Sequence, residues 1–157
     1  MRLSPSSLGI FKNCPKCFWL EKNSKIARPR GIFPSLPGGF DRIIKEKMDV
    51  YRPAKVVPFA LPELDGLSFF RDQRKLDQWR NWRTGLKADF GGDCVIGAFD
   101  DLLIEKSGLY VPFDYKTKGS EANLKDATKY YQTQLEIYAL MLQENDYQTA
   151  AYGVLLF

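Results

Sequence analysis

Asp114-Tyr115-Lys116 sits in an apolar segment, a hairpin's length after Asp100. A strand sends alternate side chains to one face. Asp114 and Lys116 therefore share a face, and Tyr115 takes the other. Val95-Ile96-Gly97-Ala98-Phe99-Asp100-Asp101-Leu102-Leu103-Ile104 reads as one preceding strand. Lys106-Ser107-Gly108 between them suits a three-residue hairpin loop with Gly108 left-handed. That register sets Glu105 opposite Leu109 and, counting back, Asp100 opposite Asp114. A slip of one residue sets Asp101 there instead. Carboxylates directly across a ladder repel, and a hard divalent cation such as Mg²⁺, which takes oxygen ligands, removes the repulsion. Lys116 is then placed to orient a water or to stabilise charge developing on a phosphate. Without a cation the same residues make an exposed hairpin with scattered charges.

The chain has 157 residues and no histidine. The length suits a single domain with a substantial core. The missing imidazole excludes Ser-His-Asp and Cys-His catalysis and His-ligated zinc. Hydrolytic chemistry must then use carboxylates, lysine or a metal, which raises the weight of Asp100, Asp114 and Lys116. The net charge of +4 permits a nucleic-acid partner. No apolar run approaches the roughly 20 residues of a membrane span. Met1-Arg2-Leu3-Ser4-Pro5 lacks a signal-peptide core, so a cytoplasmic protein with no membrane partner is expected. Cys14, Cys17 and Cys94 are too few for a four-ligand metal site. Cys14-Pro15-Lys16-Cys17 is expected to be a buried pair of free thiols ahead of a metal or redox site.

Ser4 and Pro5 open a helix as N-cap and first residue, with Leu8, Phe11, Phe18 and Trp19 supplying apolar contacts. Residues 24–38 read as a basic loop punctuated by Pro and Gly. The spacing of Phe40, Ile43, Ile44 and Met48 predicts a helix to Arg52. Its charges (Asp41, Arg42, Lys45, Glu46, Lys47, Asp49) read mostly as a solvated face. Leu76, Trp79 and Trp82 mark a short helix or crossover. The tryptophans are expected to pack inward, leaving Arg71, Arg74, Lys75, Arg80, Arg83 and Lys87 for phosphate contacts. A long helix follows the hairpin, capped by Ser120 with Glu121 in its first turn. Its stripe is Leu124, Ala127, Tyr131, Leu135, Tyr138 and Leu142, and Asn145 ends it. Gln134 lies on that stripe and needs a partner there: a backbone group, or the strand carrying Asp114. Tyr152–Phe157 reads as a last strand, and the abrupt stop fits a C-terminal truncation of a single domain over 1–157.

Four segments, in order and spacing, resemble the RecB-like branch of the PD-(D/E)XK nuclease superfamily. Leu3-Ser4-Pro5-Ser6-Ser7-Leu8 through Phe11, Cys14-Pro15 and Phe18 is similar to its N-terminal segment. Gly97-Ala98-Phe99-Asp100 is similar to its G-x-x-D strand. Asp114-Tyr115-Lys116-Thr117 is similar to its D-Y-K-T strand, and Gln134-Leu135-Glu136-Ile137-Tyr138 to its Q-x-x-x-Y helix. The resemblance implies an α/β (α+β-like) fold, a mixed central β-sheet flanked by helices with a restriction-endonuclease-like core. It implies that Asp100 and Asp114 ligate Mg²⁺ or Mn²⁺ and that Lys116 positions the attacking water or stabilises the pentacovalent phosphate. The metal would lower the pKa of its water for in-line attack on a phosphodiester. Gln134 and Tyr138 would hold the DNA backbone and brace the site, with Thr117 and Arg42 counted among the DNA-supporting residues.

Many RecB-like nucleases add a histidine ligand on an early helix. Here Asp41 stands about where it would fall, a carboxylate suited to Mg²⁺, and Glu46 is a second candidate on that helix. Some relatives hold an iron–sulfur cluster on one N-terminal and three C-terminal cysteines. Cys14 matches the first and the other three are absent, so no cluster is expected in this chain as it stands.

The resemblance implies a Mg²⁺/Mn²⁺-dependent deoxyribonuclease, an exonuclease of repair, recombination or CRISPR adaptation. DNA, as single strands or duplex ends, is the expected partner, with a separate helicase or recombination or CRISPR protein. The competing expectation is a catalytically inactive nuclease fold that binds nucleic acid.

Overall fold

The computed structural model describes residues 1–157 apart from 30–34, 55–56, 60 and 119–120, with backbone alone at 35–37. In chain order it has β1 (Arg2–Leu3), α1 (Pro5–Asn13), α2 (Pro15–Asn23), α3 (Ser35–Tyr51) and a 3-10 turn at Pro62–Leu64. There follow β2 (Ser68–Phe69), α4 (Gln73–Arg80), β3 (Leu86–Phe90), β4 (Asp93–Gly97), β5 (Asp101–Ile104), β6 (Tyr110–Tyr115), α5 (Leu124–Gln143) and β7 (Val154–Leu156).

The strands form two mixed sheets, ordered β1-β4-β3 and β2-β5-β6-β7, flanked by the helices. β1 runs parallel to β4 and β7 parallel to β6, and the remaining pairs are antiparallel. This is the expected α/β fold with a restriction-endonuclease-like core, its sheet divided in two. The division corrects the single strand expected over Val95–Ile104. The chain leaves β4 at Gly97, bends through Ala98–Asp100 and re-enters a ladder at Asp101. At the bend the Phe99 amide donates to the Trp79 carbonyl at 3.2 Å rather than to a neighbouring strand.

The β5–β6 hairpin has the expected register. Asp101 pairs Phe113, Ile104 pairs Tyr110, and the Glu105 amide donates to the Leu109 carbonyl. Gly108 is left-handed at φ 90°, a conformation that glycine adopts without a Cβ penalty. Alternation along β5 divides the core. Leu102 packs with Trp79, Phe99, Met141 and Leu142, while Leu103 packs with Met48, Phe69, Phe113 and Tyr115.

Several helix boundaries and faces differ from the expectations. α1 is capped by Ser4 as expected, but Phe11 and Trp19 are largely exposed. α3 begins at Ser35, inside the segment read as a loop, and Pro37 falls within its first turn, where its missing N–H costs nothing. Among the described side chains of α3, Ile44, Met48 and Tyr51 reach the core, while Phe40 and Ile43 are exposed. In α4 Leu76 and Trp79 are buried, but Trp82 is 70% exposed. Ser120 lies outside the described residues, and Glu121 precedes the helix. α5 is capped by Asn123, which accepts from the Asp126 amide, and Asp126 supplies the first-turn acid. Leu124 is exposed, and Met141 joins Tyr138 and Leu142 in the buried stripe. Asn145 lies just past the end and donates to the Met141 and Lys87 carbonyls. No helix among the described residues is long and apolar enough to cross a membrane.

Candidate active site

Alternation in β6 sends Phe113 and Tyr115 into one core cluster and Asp114 to the opposite face, toward α5. The Lys116 amide donates to the Leu156 carbonyl at 2.8 Å, so the ladder with β7 carries on one residue beyond the strand. Lys116 therefore returns to the face of Asp114, and its ammonium forms an ion pair with Asp114 Oδ2. The same ammonium lies 5.0 Å from the centre of the Tyr131 ring.

Asp100 stands at the bend before β5. Its Oδ2 accepts from the Tyr115 amide at 3.1 Å, and its backbone carbonyl accepts from Arg80 Nε at 2.8 Å. The adjacent carboxylate Asp101 faces the other way. It accepts from Arg52 Nη1 and Nη2 at 3.0 and 2.8 Å, from Arg80 Nη2 at 3.1 Å and from the Tyr115 hydroxyl at 2.7 Å. The alternative register, with Asp101 opposite Asp114, is thereby excluded.

From α5, Gln134 Nε2 donates to Asp114 Oδ1 at 3.1 Å and to the Tyr138 hydroxyl at 3.0 Å. That hydroxyl donates to the Ala98 carbonyl at 2.7 Å. Tyr138 comes this close because residue 97 is glycine: a Cβ there would meet Tyr138 Cε1 and Met141 Sδ at 3.1 Å.

Asp114 is 2% exposed. Burial, reinforced by the charge of Asp100 and only partly opposed by Lys116, pushes its pKa up to about 7. The Lys116 ammonium pairs with Oδ2, and no further donor among the described residues reaches this buried oxygen. Two facing carboxylates fit a hard divalent cation, which accepts carboxylate oxygens and keeps waters. The donor set suits Mg²⁺ or Mn²⁺ and lacks the nitrogen and sulfur ligands of a zinc site.

A family model of the PD-(D/E)XK nuclease superfamily matches residues 59–157, well over half of the chain. The chain belongs to this superfamily. Its members are generally nucleases, hydrolases of phosphodiester bonds in nucleic acid. The matched stretch carries Asp100, Asp114, Lys116, Gln134 and Tyr138, the residues that the fold brings together. The first three helices, with Asp41 and the cysteine pair, precede it.

The other expected PD-(D/E)XK site residues are placed differently. Asp41 reaches the cluster only through Lys45, whose Nζ lies 2.8 Å from Asp41 Oδ2 and 2.7 Å from Asp100 Oδ1. Burial works against that ammonium's charge, but Asp100 and Asp41 together hold its pKa above the usual range. No group of three or more His, Cys, Asp or Glu side chains suited to a metal occurs among the described residues. Arg42 and Glu46 face solvent, 3.9 Å apart, and Thr117 is exposed beyond Lys116.

Cys14 and Cys17 are half-buried, not buried as expected. Their sulfurs lie 2.7 Å apart, and Cys14 caps α2 by accepting from the Cys17 amide. The hydrogen bonds from Cys17, with a smaller contribution from Arg28, hold the Cys14 thiol below its usual pKa.

Lys45, Asp49, Arg52 and Arg80 were not singled out by sequence reasoning for the roles they take. Asp49 joins both arginines, at 2.8 Å to Arg52 Nη2 and 2.7 Å to Arg80 Nη1. Burial opposes its ionisation, but the two guanidiniums hold its pKa below the ordinary value. One signal for this network was available. If Asp100 faces Asp114, then Asp101 falls opposite Phe113 on the apolar face it shares with Tyr115, and a buried carboxylate there needs cationic partners.

Proposed function

We propose that the chain is a Mg²⁺- or Mn²⁺-dependent deoxyribonuclease of the RecB-like branch, acting as an exonuclease. The observation that carries this reading is the buried Asp114 carboxylate set beside the Asp100 carboxylate and the Lys116 ammonium. Asp100 and Asp114 would hold the cation. Bound there, it supplies Lewis-acid polarisation of a phosphate oxygen and acidifies a water at neutral pH. Lys116 gives up its contact with Asp114 and turns its ammonium to the attacking water or to the charge growing on the phosphate. Gln134 holds Asp114 Oδ1 in place, so that the carboxylate is oriented before the cation arrives. Tyr138 fixes the Ala98–Asp100 bend against α5. The ordered N-terminal, G-x-x-D, D-Y-K-T and Q-x-x-x-Y segments support the RecB-like assignment within the superfamily.

One observation favours a second reading, a nuclease fold that binds nucleic acid without cutting it. Lys45 and Lys116 already neutralise Asp100 and Asp114. Asp114→Ala separates the two. A nuclease loses its Mg²⁺-dependent cutting while still retaining DNA on a gel shift. A binding module shows no cutting before the substitution and unchanged retention after it.

A further inference from the structure

A groove of about 700 Å³ runs between the start of α1, β4 and α5. Ala98, Gln134 and Tyr138 are among its lining residues. Those are the residues whose hydrogen bonds reach Asp114 and the bend carrying Asp100. Among the described residues its charged lining is Arg2 and Lys22, with no carboxylate. Two exposed aromatic rings lie in its walls. Trp82 is 70% exposed and Tyr130 61% exposed. Each carries a cation against its ring, Arg83 at 5.0 Å and Lys129 at 5.0 Å. Other aromatics such as Phe11 and Trp19 are also exposed, but Trp82 and Tyr130 share the walls of one groove beside the candidate site. Trp82 lies beyond the end of α4, away from the core.

We propose that this groove binds an unpaired DNA strand, with bases stacked on Trp82 and Tyr130 and phosphates drawn to Arg2 and Lys22, and leads it to Asp100, Asp114 and Lys116. The proposal rests on the nuclease reading and names its substrate form. In a duplex each base is already stacked on its neighbours, so open aromatic faces gain little from it. An unpaired base has a free face, and stacking on an aromatic ring holds it whatever its identity. Paired cations beside those rings, in a wall free of carboxylates, suit the phosphates between stacked bases.

The test is binding without chemistry. Fluorescence anisotropy of a labelled oligo(dT) and of a blunt duplex of equal length is read in EDTA, and again with Ca²⁺. Wild type, Trp82→Ala and Trp82→Phe are compared. Trp82 is exposed, so its replacement leaves the fold intact, checked by circular dichroism. The strand is expected to bind more tightly than the duplex. Trp82→Ala should weaken strand binding by about tenfold, with duplex binding unchanged, and Trp82→Phe should restore most of the loss. Preference for the duplex, or strand binding indifferent to Trp82→Ala, overturns the proposal. So does failure to hold either DNA. None of these outcomes touches the nuclease reading, which stands or falls on Mg²⁺-dependent cutting measured separately.

Discussion

Gln134 Nε2 donates to Asp114 Oδ1 at 3.1 Å from one turn before Tyr138, which is itself anchored on the Ala98 carbonyl. One helix thus sets both the carboxylate on β6 and the bend that presents Asp100. Groups that orient metal-binding carboxylates typically matter by about 10–100-fold in metal affinity or activity. Gln134→Ala is therefore expected to reduce cutting by about that factor at limiting Mg²⁺, with little change in thermal stability. An Mg²⁺ titration of the rate checks it. An unchanged titration would mean that Asp114 needs no support from α5.

Asp101 is fully buried among Arg52, Arg80 and Tyr115. Removing one partner of a buried ion pair leaves the other charge uncompensated, at about 3–5 kcal/mol. Arg52→Met should lose stability of that order in urea denaturation while leaving the carboxylates of the site in place. A loss under about 1 kcal/mol, the range of an exposed pair, would show that solvent reaches Asp101.

The hairpin and Gln134 were legible because local rules govern them. Gly108 pins the loop, alternation sets the faces, and a glutamine on an apolar stripe asks for a partner. The break at Ala98–Asp100 was not legible. The segments around it are largely apolar, and at the bend the Phe99 amide turns to the remote Trp79 carbonyl. The start of α3 was hidden by Pro37, Gly38 and Gly39, which resemble loop punctuation although a proline is tolerated in a first turn. Lys45 and Asp49 read as solvated because their partners, Asp100 and Arg80, come from remote parts of the chain. Trp82 reads as core by spacing, but α4 ends at Arg80, before the periodicity can bring it round.

The raised pKa of Asp114 has a consequence for stability in the absence of metal. Between the ordinary value of 3.8 and about 7 the folded chain keeps a proton on Asp114 that the unfolded chain has lost. Stability from this group is therefore present at low pH and declines as pH rises through that window. At about 1.4 kcal/mol per unit, Asp114→Asn should be more stable than the metal-free wild type by roughly 4 kcal/mol at pH 7.5, and by little at pH 4. Denaturant midpoints across this range check it. In the same window protons compete with metal, so apparent Mg²⁺ affinity should fall as pH drops below about 7.

Lys45 places a positive charge 2.7 Å from Asp100 Oδ1. A divalent cation entering the site meets that charge; two unit charges about 4 Å apart repel by about 1 kcal/mol in water-like surroundings, so a double charge is repelled by about 2 kcal/mol. Lys45→Met is expected to tighten Mn²⁺ binding by about thirtyfold in calorimetry. Weaker binding would instead make Lys45 the group that aligns Asp100 for the metal.

The most direct test of the central claim is cleavage of end-labelled single- and double-stranded DNA with Mg²⁺, Mn²⁺ or EDTA, by wild type and by Lys116→Ala. The account predicts metal-dependent cutting by the wild type that EDTA abolishes. If Lys116 supplies charge at the reacting phosphate as proposed, Lys116→Ala should lose about a hundredfold or more. The product ladder would then give polarity. A folded wild type that cuts neither DNA with either metal, or a Lys116→Ala variant that cuts as fast, would contradict it.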